Sequence, residues 1–224
     1  MRSRIVARWL GLLACAFIDM SAAQDIDVQQ LVRDTQISRQ EGQALDLVWY
    51  IPTEFWQASF KKGGNLTEKQ QRDMLSTVED YVLVAAIEGN IGPLGALSST
   101  SKDELEKKIS LKLGDAALAL IPEAELPAAT SNFVQMMKPV ISNMLGAIGS
   151  GLHFIVFESK DAKGKRLVDP TKEGRLTIRM GEKDFSFRLP IGALLPPMFD
   201  AQTGDRFPGD YIYNPYTGKK LAAK

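Results

Sequence analysis

Residues Tyr81–Ile87 spell Tyr-Val-Leu-Val-Ala-Ala-Ile, and this unbroken apolar run decides the fold. The run is too short for a buried helix, and Gly89-Asn90 bound it on the C-terminal side. Apolar runs of this length are typical of strands in the middle of a protein. The sequence therefore predicts a strand that is buried on both faces.

Helix signals lie on both sides of this strand. Residues Thr67–Gln70 (Thr-Glu-Lys-Gln) form a capping box, in which the threonine accepts from a backbone amide and the glutamine reaches back, so a helix is expected to run to about Val78. Ser101–Glu104 is a second capping box and opens a shorter helix. Apolar residues recur at helical spacing from Phe133 to Ile148, which predicts the main helix. Pro139 is expected to kink or split it.

Short apolar or alternating runs indicate further strands. We expect one short helix and a loop over Asp25–Gln43, and a weaker strand or helix over Ala116–Ile121. Because helices and strands mix without strict alternation, the predicted fold class is α+β. It is a single domain with a mixed or mainly antiparallel sheet, helices packed on one face, and a C-terminal β-hairpin or knuckle tail. The other predicted strands are Leu47–Ile51, Ile109–Leu113, Leu152–Phe157 and a hairpin of Leu176–Met180 with Phe185–Leu189.

The N-terminus has the layout of a signal peptide. Three arginines within the first eight residues precede the apolar run Trp9–Ile18, and small residues follow at Ser21–Ala23. The run is about half of the ~20 residues that a membrane-spanning helix needs. We expect residues 1–23 to be a signal peptide that is cleaved before Gln24. The mature protein is then periplasmic or secreted, with no transmembrane segment.

A lipoprotein is the alternative for this N-terminus. Cys15 follows Leu12-Leu13-Ala14, which resembles a lipobox, and an acylated Cys15 would anchor the protein on a membrane. Leu13 is a poor fit immediately before the small residue, and the apolar stretch before Cys15 is very short. The anchored form therefore ranks second to the cleaved form.

Removal of residues 1–23 leaves a faintly acidic chain without cysteine. Three arginines and Asp19 leave with that segment, so the 27 basic and 27 acidic residues of the full chain become 24 and 26. This balance offers no electrostatic footprint for nucleic acid. A chain without thiols forms neither a disulfide nor a thiolate metal site, so its core alone must stabilise it. The expected organisation is an α+β domain over 24–198, with the tail, 199–224, packed on it.

The tail contains an internal repeat. Residues Asp200–Phe207 and Asn214–Leu221 share an Asx residue, two intervening residues, Thr-Gly, two polar residues and an apolar one. Each copy predicts a tight turn that the Asx side chain starts, with Gly204 or Gly218 free to take a positive φ. Two such turns around a short strand, Tyr211–Tyr213, are similar to a zinc ribbon in which Asp200 and Asn214 occupy cysteine positions.

The stretch from Gly149 to Leu221, with Leu189–Pro197 and the repeated turns, resembles an exported bacterial protein family that has a zinc-ribbon-like C-terminus. The resemblance covers about a third of the chain. The resemblance implies the shape of the tail. It implies neither a reaction nor any other activity. Because this chain lacks every cysteine of that pattern, metal binding is not implied, and no metal or other cofactor is expected.

Four residues are candidates for a binding site. Trp49, Tyr50 and Trp56 belong to the densest aromatic cluster, and Pro52 among them suggests a bend where the rings line a groove for a peptide or glycan. Such clusters are more often part of an ordinary core, which is the favoured interpretation. His153 is the only histidine of the chain, which argues against a multi-histidine metal centre. The methionines of the main helix suggest an adaptable binding face or, again, core packing.

No motif of the sequence identifies a catalytic residue. The leading hypothesis is an exported, non-enzymatic accessory or binding protein whose partner is another envelope protein or a small ligand. The alternative is a metal-independent hydrolase, in which His153 acts with Glu158 or with an aspartate of the tail in acid–base chemistry.

Overall fold

The computed structural model of the chain describes residues 26–161 and 163–223. The predicted signal peptide, residues 1–23 with Cys15, lies outside the described residues. The helices are α1 Val28–Thr35, α2 Thr53–Gly63, α3 Glu68–Ser76, α4 Lys102–Glu106 and α5 Ala128–Met144. The strands are β1 Gln36–Glu41, β2 Ala44–Ile51, β3 Tyr81–Ile91, β4 Leu97–Ser99, β5 Ile109–Leu113, β6 Ala116–Leu118, β7 Leu120–Ile121, β8 His153–Glu158, β9 Gly174–Met180, β10 Lys183–Leu189, β11 Met198–Phe199, β12 Arg206–Phe207 and β13 Ala222–Ala223.

The largest sheet is built around the strand that the apolar run predicts. Its order is β1-β2-β3-β8-β7, with β4 also paired to β3, and each of these pairs is antiparallel. Strand β3 thus has β2 on one side and β8 on the other. Residues Val82–Ile87 are buried, which confirms the predicted strand with two covered faces.

The two faces of this sheet carry different cores. Trp49, Ala85 and Phe154 lie side by side across β2, β3 and β8 and pack towards the helices. Val48 and Ala86, one residue away, point to the opposite core because side chains alternate along a strand. A second antiparallel sheet, of order β10-β9-β5-β6, covers that face. The molecule is therefore an α+β fold, as predicted. Helices α1, α2 and α5 pack on one face of the large sheet, whereas the short helix α4 places Leu105 in the opposite core.

The capping boxes and the apolar spacing of the sequence predicted the positions of three helices. Helices α3 and α4 begin at the two predicted capping boxes, each of which makes both of its reciprocal contacts. Buried Phe133, Met137 and Ile141 form the inner stripe of α5. The expected split at Pro139 is wrong, because α5 continues through it from Ala128 to Met144.

Two predicted segments differ from the structure, and an ambiguous one is resolved. Residues Gln36–Glu41, expected to be a loop, form the edge strand β1. Ala116–Ile121, left open between strand and helix, forms two short strands. Tyr211–Tyr213 is not a strand, and only Tyr213 makes an isolated bridge, to Lys220.

The C-terminal tail forms a small antiparallel sheet of order β12-β11-β13. It packs on the segment Gly192–Leu194, where the Gly209 amide donates to the Gly192 carbonyl at 3.0 Å. A side chain fits at neither glycine. A Cβ on Gly192 would lie 2.0 Å from an oxygen of Asp210, and one on Gly209 would lie 2.4 Å from Leu195. The tail therefore touches the domain backbone to backbone.

Within residues 26–161 and 163–223, no helix combines the length and the apolar character that crossing a bilayer requires.

Candidate functional site

The aromatic residues predicted from the sequence are core residues. Trp49 and Trp56 are 1% and 2% exposed, and Phe55 lies between them with its ring centroid 5.2 Å from Trp49 and 5.1 Å from Trp56. The Trp49 indole donates to the Thr35 hydroxyl at 3.2 Å, which satisfies its polar atom inside the core. Tyr50, 2% exposed, belongs to the core on the other face of the sheet. These rings do not line an open groove.

The chain turns inward, not outward, after these aromatics. Pro52 is itself buried and is the N-cap residue of α2, so the bend leads directly into a helix packed on the sheet. That helix carries Phe55 and Trp56 back onto the same core as Trp49. The proline was correctly interpreted as the end of a strand, and the surface groove inferred from it is not formed.

His153 lies away from the two tryptophans. It pairs with Ala86 across the sheet, on the face opposite Trp49, and its Nε2 lies 3.0 Å from the Thr100 carbonyl oxygen. Burial lowers the pKa of His153 below its ordinary value, and the charge of Lys138 lowers it further. The predicted partner Glu158 stands at the other end of β8, about 16 Å away along the strand. The structure thus does not bring Trp49, Trp56, His153 and Glu158 together.

The first predicted turn of the tail is formed as its sequence suggests. The Asp200 carboxylate accepts from the backbone amides of Gln202 at 2.8 Å and Thr203 at 3.2 Å. The Gly204 amide donates to the Asp200 carbonyl at 2.9 Å, and Gly204 has a φ of 75°. A residue with a side chain rarely adopts that φ, which explains the glycine.

The second turn repeats this geometry. Asn214 Oδ1 accepts from the amides of Tyr216 at 2.9 Å and Thr217 at 3.3 Å, and Gly218 has a φ of 69°. The Gly218 amide donates to the Asn214 carbonyl at 2.8 Å, matching the bond that Gly204 makes to Asp200. The internal repeat of the sequence is therefore a repeat in three dimensions.

The two turns meet through their first residues. Asn214 Nδ2 donates to Asp200 Oδ2 at 2.7 Å, and the two residues are 3% and 4% exposed. This hydrogen bond, followed by those from the Gln202 and Thr203 amides, lowers the pKa of Asp200. Among the described residues, no group of three or more His, Cys, Asp or Glu side chains is arranged to hold a metal ion. A carboxylate–amide contact therefore joins the two turns.

In and before the second turn, the tail exposes large apolar side chains. We call Tyr211, Ile212, Tyr213 and Tyr216 the tyrosine patch; they are 39%, 61%, 58% and 88% exposed. Half-buried Phe207 supports the patch, with its ring stacked on Tyr211 at 6.3 Å and tilted towards Tyr216 at 6.5 Å. Tyr211–Tyr213 was predicted to be a strand, so this exposed surface was not expected. Three tyrosines within six residues of turn-forming sequence were the signal available, because such a segment has no long strand or helix with which to bury them.

Two neighbouring cavities open beside the tail. The basic cavity has a volume of about 460 Å³ and is lined by Lys61, Lys62, Arg206 and Asp27, among others. The second cavity, of about 240 Å³, has a mixed lining: it shares Asp27 and Arg206 with the basic cavity, and we call it the apolar cavity after Leu195, Phe207 and the prolines that also line it. Three distant segments of sequence form these walls, so no local pattern could have predicted them.

Two carboxylates, Asp34 and Asp210, line a further cavity, which shares Gly192 with the apolar cavity. Asp34 accepts from the Ala193 amide at 2.9 Å and from Gln30 Nε2 at 2.6 Å. Burial raises the pKa of Asp34, and the charge of Asp210 raises it further. Because both oxygens of Asp34 already accept hydrogen bonds, this residue fastens α1 to the segment that carries the tail.

Comparisons of the chain with protein-family models, with curated proteins and with solved structures found no match. The function must therefore be argued from the geometry of these surfaces.

Proposed function

We propose that the protein is exported and acts as a non-enzymatic binding protein, which docks on another envelope protein through the tyrosine patch. The observation that carries the proposal is the concentration of exposed apolar side chains on the tail. Of the nine large hydrophobic side chains that are exposed among the described residues, four belong to the tyrosine patch. Water-exposed apolar groups that lie together favour association with another surface.

The chemistry of the patch suits a protein partner. Tyrosine offers a large, stiff, amphipathic ring and is enriched at the centres of protein interfaces. The paired turns hold the patch in place, because each has a side-chain cap and a glycine at positive φ. Little conformational entropy is then lost when a partner binds.

A second exposed stripe, on α5, serves as the comparison surface. Met136, Val140 and Met144 follow one another at four-residue spacing and are 50%, 48% and 52% exposed. Its side chains are more exposed than Tyr211 and less exposed than the other three members of the tyrosine patch. A partner that docks there instead would contradict the proposal.

The acid–base alternative has no comparable support. Among the described residues, the hydrogen bond of His153 goes to the Thr100 carbonyl, and no carboxylate lies within 4.0 Å of its ring nitrogens. Export, in contrast, accords with the signal-peptide layout and with the resemblance of the segment 149–221 to an exported family.

Single cysteines in the otherwise cysteine-free mature chain test the docking site. A photoactivatable maleimide attached to Tyr216→Cys is expected to give one discrete crosslinked species in the bacterial envelope. The matched controls are Leu94→Cys, at a loop residue that is 97% exposed, and Val140→Cys on α5. The adduct from position 216 should disappear when Tyr211 and Tyr213 are both changed to serine. Equal crosslinking from all three positions, or crosslinking from Val140→Cys alone, would refute docking through the patch.

The mass of the mature N-terminus tests export separately. A chain that begins at Gln24 supports the cleaved form, and an acylated Cys15 supports the anchored form. Protein that retains Met1 inside the cytosol would overturn the proposed compartment.

A further inference from the structure

We infer that the two cavities beside the tail form one binding site for an amphiphilic organic anion, a carboxylate or phosphate ester with an apolar chain. The site is distinct from the tyrosine patch, and the inference does not rest on the proposed function. It rests on the charges that line one cavity, the apolar side chains that line the other, and the arginine that the two share.

The basic cavity holds three cations and one carboxylate. Lys61, Lys62 and Arg206 line it, and Asp27 is the acid. Asp27 is already engaged, because its Oδ1 accepts from the Gln30 amide at 3.0 Å as the N-cap of α1. Within residues 26–161 and 163–223, none of the three cations forms an ion pair. The three positive charges exceed the single negative charge of Asp27, so the lining of the cavity is net positive and favours an anion.

Helix geometry explains two of these cations but not the third. Lys61 and Lys62 lie in the last turn of α2, where a positive charge interacts favourably with the helix dipole. Arg206 comes from β12, in the tail, and lies against the same cavity because β12 pairs with β11. No local structural requirement places an arginine there, so the convergence of all three points to a shared ligand.

The apolar cavity continues from Arg206. Leu195, Pro197, Phe207 and Pro208 line it, while Arg206 and Asp27 belong to both cavities. A ligand that places its charged group on the lysines and on Arg206 would thus have an apolar wall next to it. Cavities of about 300–1,000 Å³ accommodate small-molecule ligands, and the basic cavity alone, at about 460 Å³, is in this range.

Isothermal titration calorimetry on the purified protein tests the site. The probes are octanoate and octyl phosphate, with acetate and inorganic phosphate as charged groups without a chain, and octanol as a chain without a charge. At least one of the two amphiphiles is expected to bind about tenfold or more tightly than acetate, phosphate and octanol. Which amphiphile binds better tells a carboxylate ligand from a phosphate one.

Charge variants then locate the binding. Arg206→Gln is expected to weaken binding of the preferred amphiphile about tenfold, and Lys61→Gln with Lys62→Gln to weaken it similarly. Arg175→Gln is the control, because Arg175 is an exposed arginine on β9, in the sheet of order β10-β9-β5-β6. Unchanged circular dichroism of each variant shows that it is folded, and the double lysine variant still tests the site if Arg206→Gln does not fold.

Three results would overturn the inference. The first is that neither amphiphile binds measurably. The second is that inorganic phosphate or octanol binds as tightly as the preferred amphiphile. The third is that the folded charge variants bind that amphiphile with unchanged affinity.

Discussion

Replacing Asn214 with alanine should loosen the junction between the two turns of the tail. The change removes the 2.7 Å hydrogen bond from Asn214 Nδ2 to the Asp200 carboxylate and the two bonds that Asn214 Oδ1 accepts from the Tyr216 and Thr217 amides. The remaining Asp200 oxygen stays buried without that donor. Water can reach the two freed amides, because Tyr216 and Thr217 lie on the surface.

The expected cost is about 3 kcal/mol. A hydrogen bond to a charged group contributes roughly 1.5–3 kcal/mol, and each neutral bond that water replaces contributes about 0.5–1 kcal/mol. For a chain of this size each kcal/mol lowers Tm by roughly 2–4 °C, so Asn214→Ala should melt about 6–12 °C lower if the tail unfolds with the domain.

Amide hydrogen exchange measures the loss at the turns themselves. The Gly204 and Gly218 amides donate within the two turns, at 2.9 and 2.8 Å, and should exchange about a hundredfold faster in Asn214→Ala. The control is Asn132→Ala, at an exposed position of α5. Exchange and Tm that match those of the parent protein would refute the view that the Asp200–Asn214 contact holds the tail together.

The pH dependence of the same junction has a defined sign. The pKa of Asp200 is lowered in the folded protein, chiefly by the hydrogen bond from Asn214. The stabilisation is therefore complete above the unfolded pKa of about 3.9 and is lost as the pH falls through the folded value. Asn214→Ala should reduce this loss, and equal acid sensitivity of the two proteins in urea titrations would contradict the assignment.

Three further outcomes follow from the geometry. Gly218→Val should cost about 1 kcal/mol or more in urea denaturation because its φ is 69°, and an unchanged midpoint would mean that the turn does not need glycine. Gly209→Ala should cost about 1–3 kcal/mol because its Cβ would lie 2.4 Å from both the Leu195 Cβ and the Pro196 carbonyl oxygen, whereas Gly174→Ala, with its nearest contact at 3.4 Å, should cost less; the reverse order would contradict the close docking of the tail. His153 should titrate below its ordinary pKa of 6.5 in NMR spectra, so that stability is complete above pH 6.5 and declines as the pH falls below it; a midpoint at or above 6.5 would contradict its burial.

The predictions that succeeded rest on short-range chemistry. A capping box involves four consecutive residues, and both boxes start helices where their side chains satisfy free backbone amides. The doubly buried strand was visible because Val82–Ile87 contains no polar residue. The Asx turns were visible because Asp200 and Asn214 act on amides only two and three residues away.

The predictions that failed depend on neighbours that are distant in sequence. The sequence of β1 predicts a loop, because its side chains are mostly exposed and polar. It is an edge strand, and only its pairing with β2 makes it a strand. Helix α5 accommodates Pro139, which lies on its exposed side. For the aromatic cluster around Trp49, the sequence favoured a core but left a groove open as the alternative, because it does not show that α2 folds back over the sheet.

Local sequence patterns could not predict the cavities beside the tail or the tyrosine patch. Arg206 is 144 residues from Lys62, and only the pairing of β12 with β11 places both at one cavity. The tyrosine patch is exposed because Tyr211–Tyr213 pairs only through an isolated bridge, which a strand-like sequence did not reveal.

The way in which the tail is fastened bears on how it is assembled. A zinc ribbon completes its folding only when a metal ion is delivered, and its thiolates are open to oxidation. In this tail the two turns are joined by the Asp200 carboxylate and the Asn214 side-chain amide, which belong to the polypeptide itself. The tail can therefore close as soon as its own residues are available, and neither a chelator nor an oxidant finds a bond to break at this point.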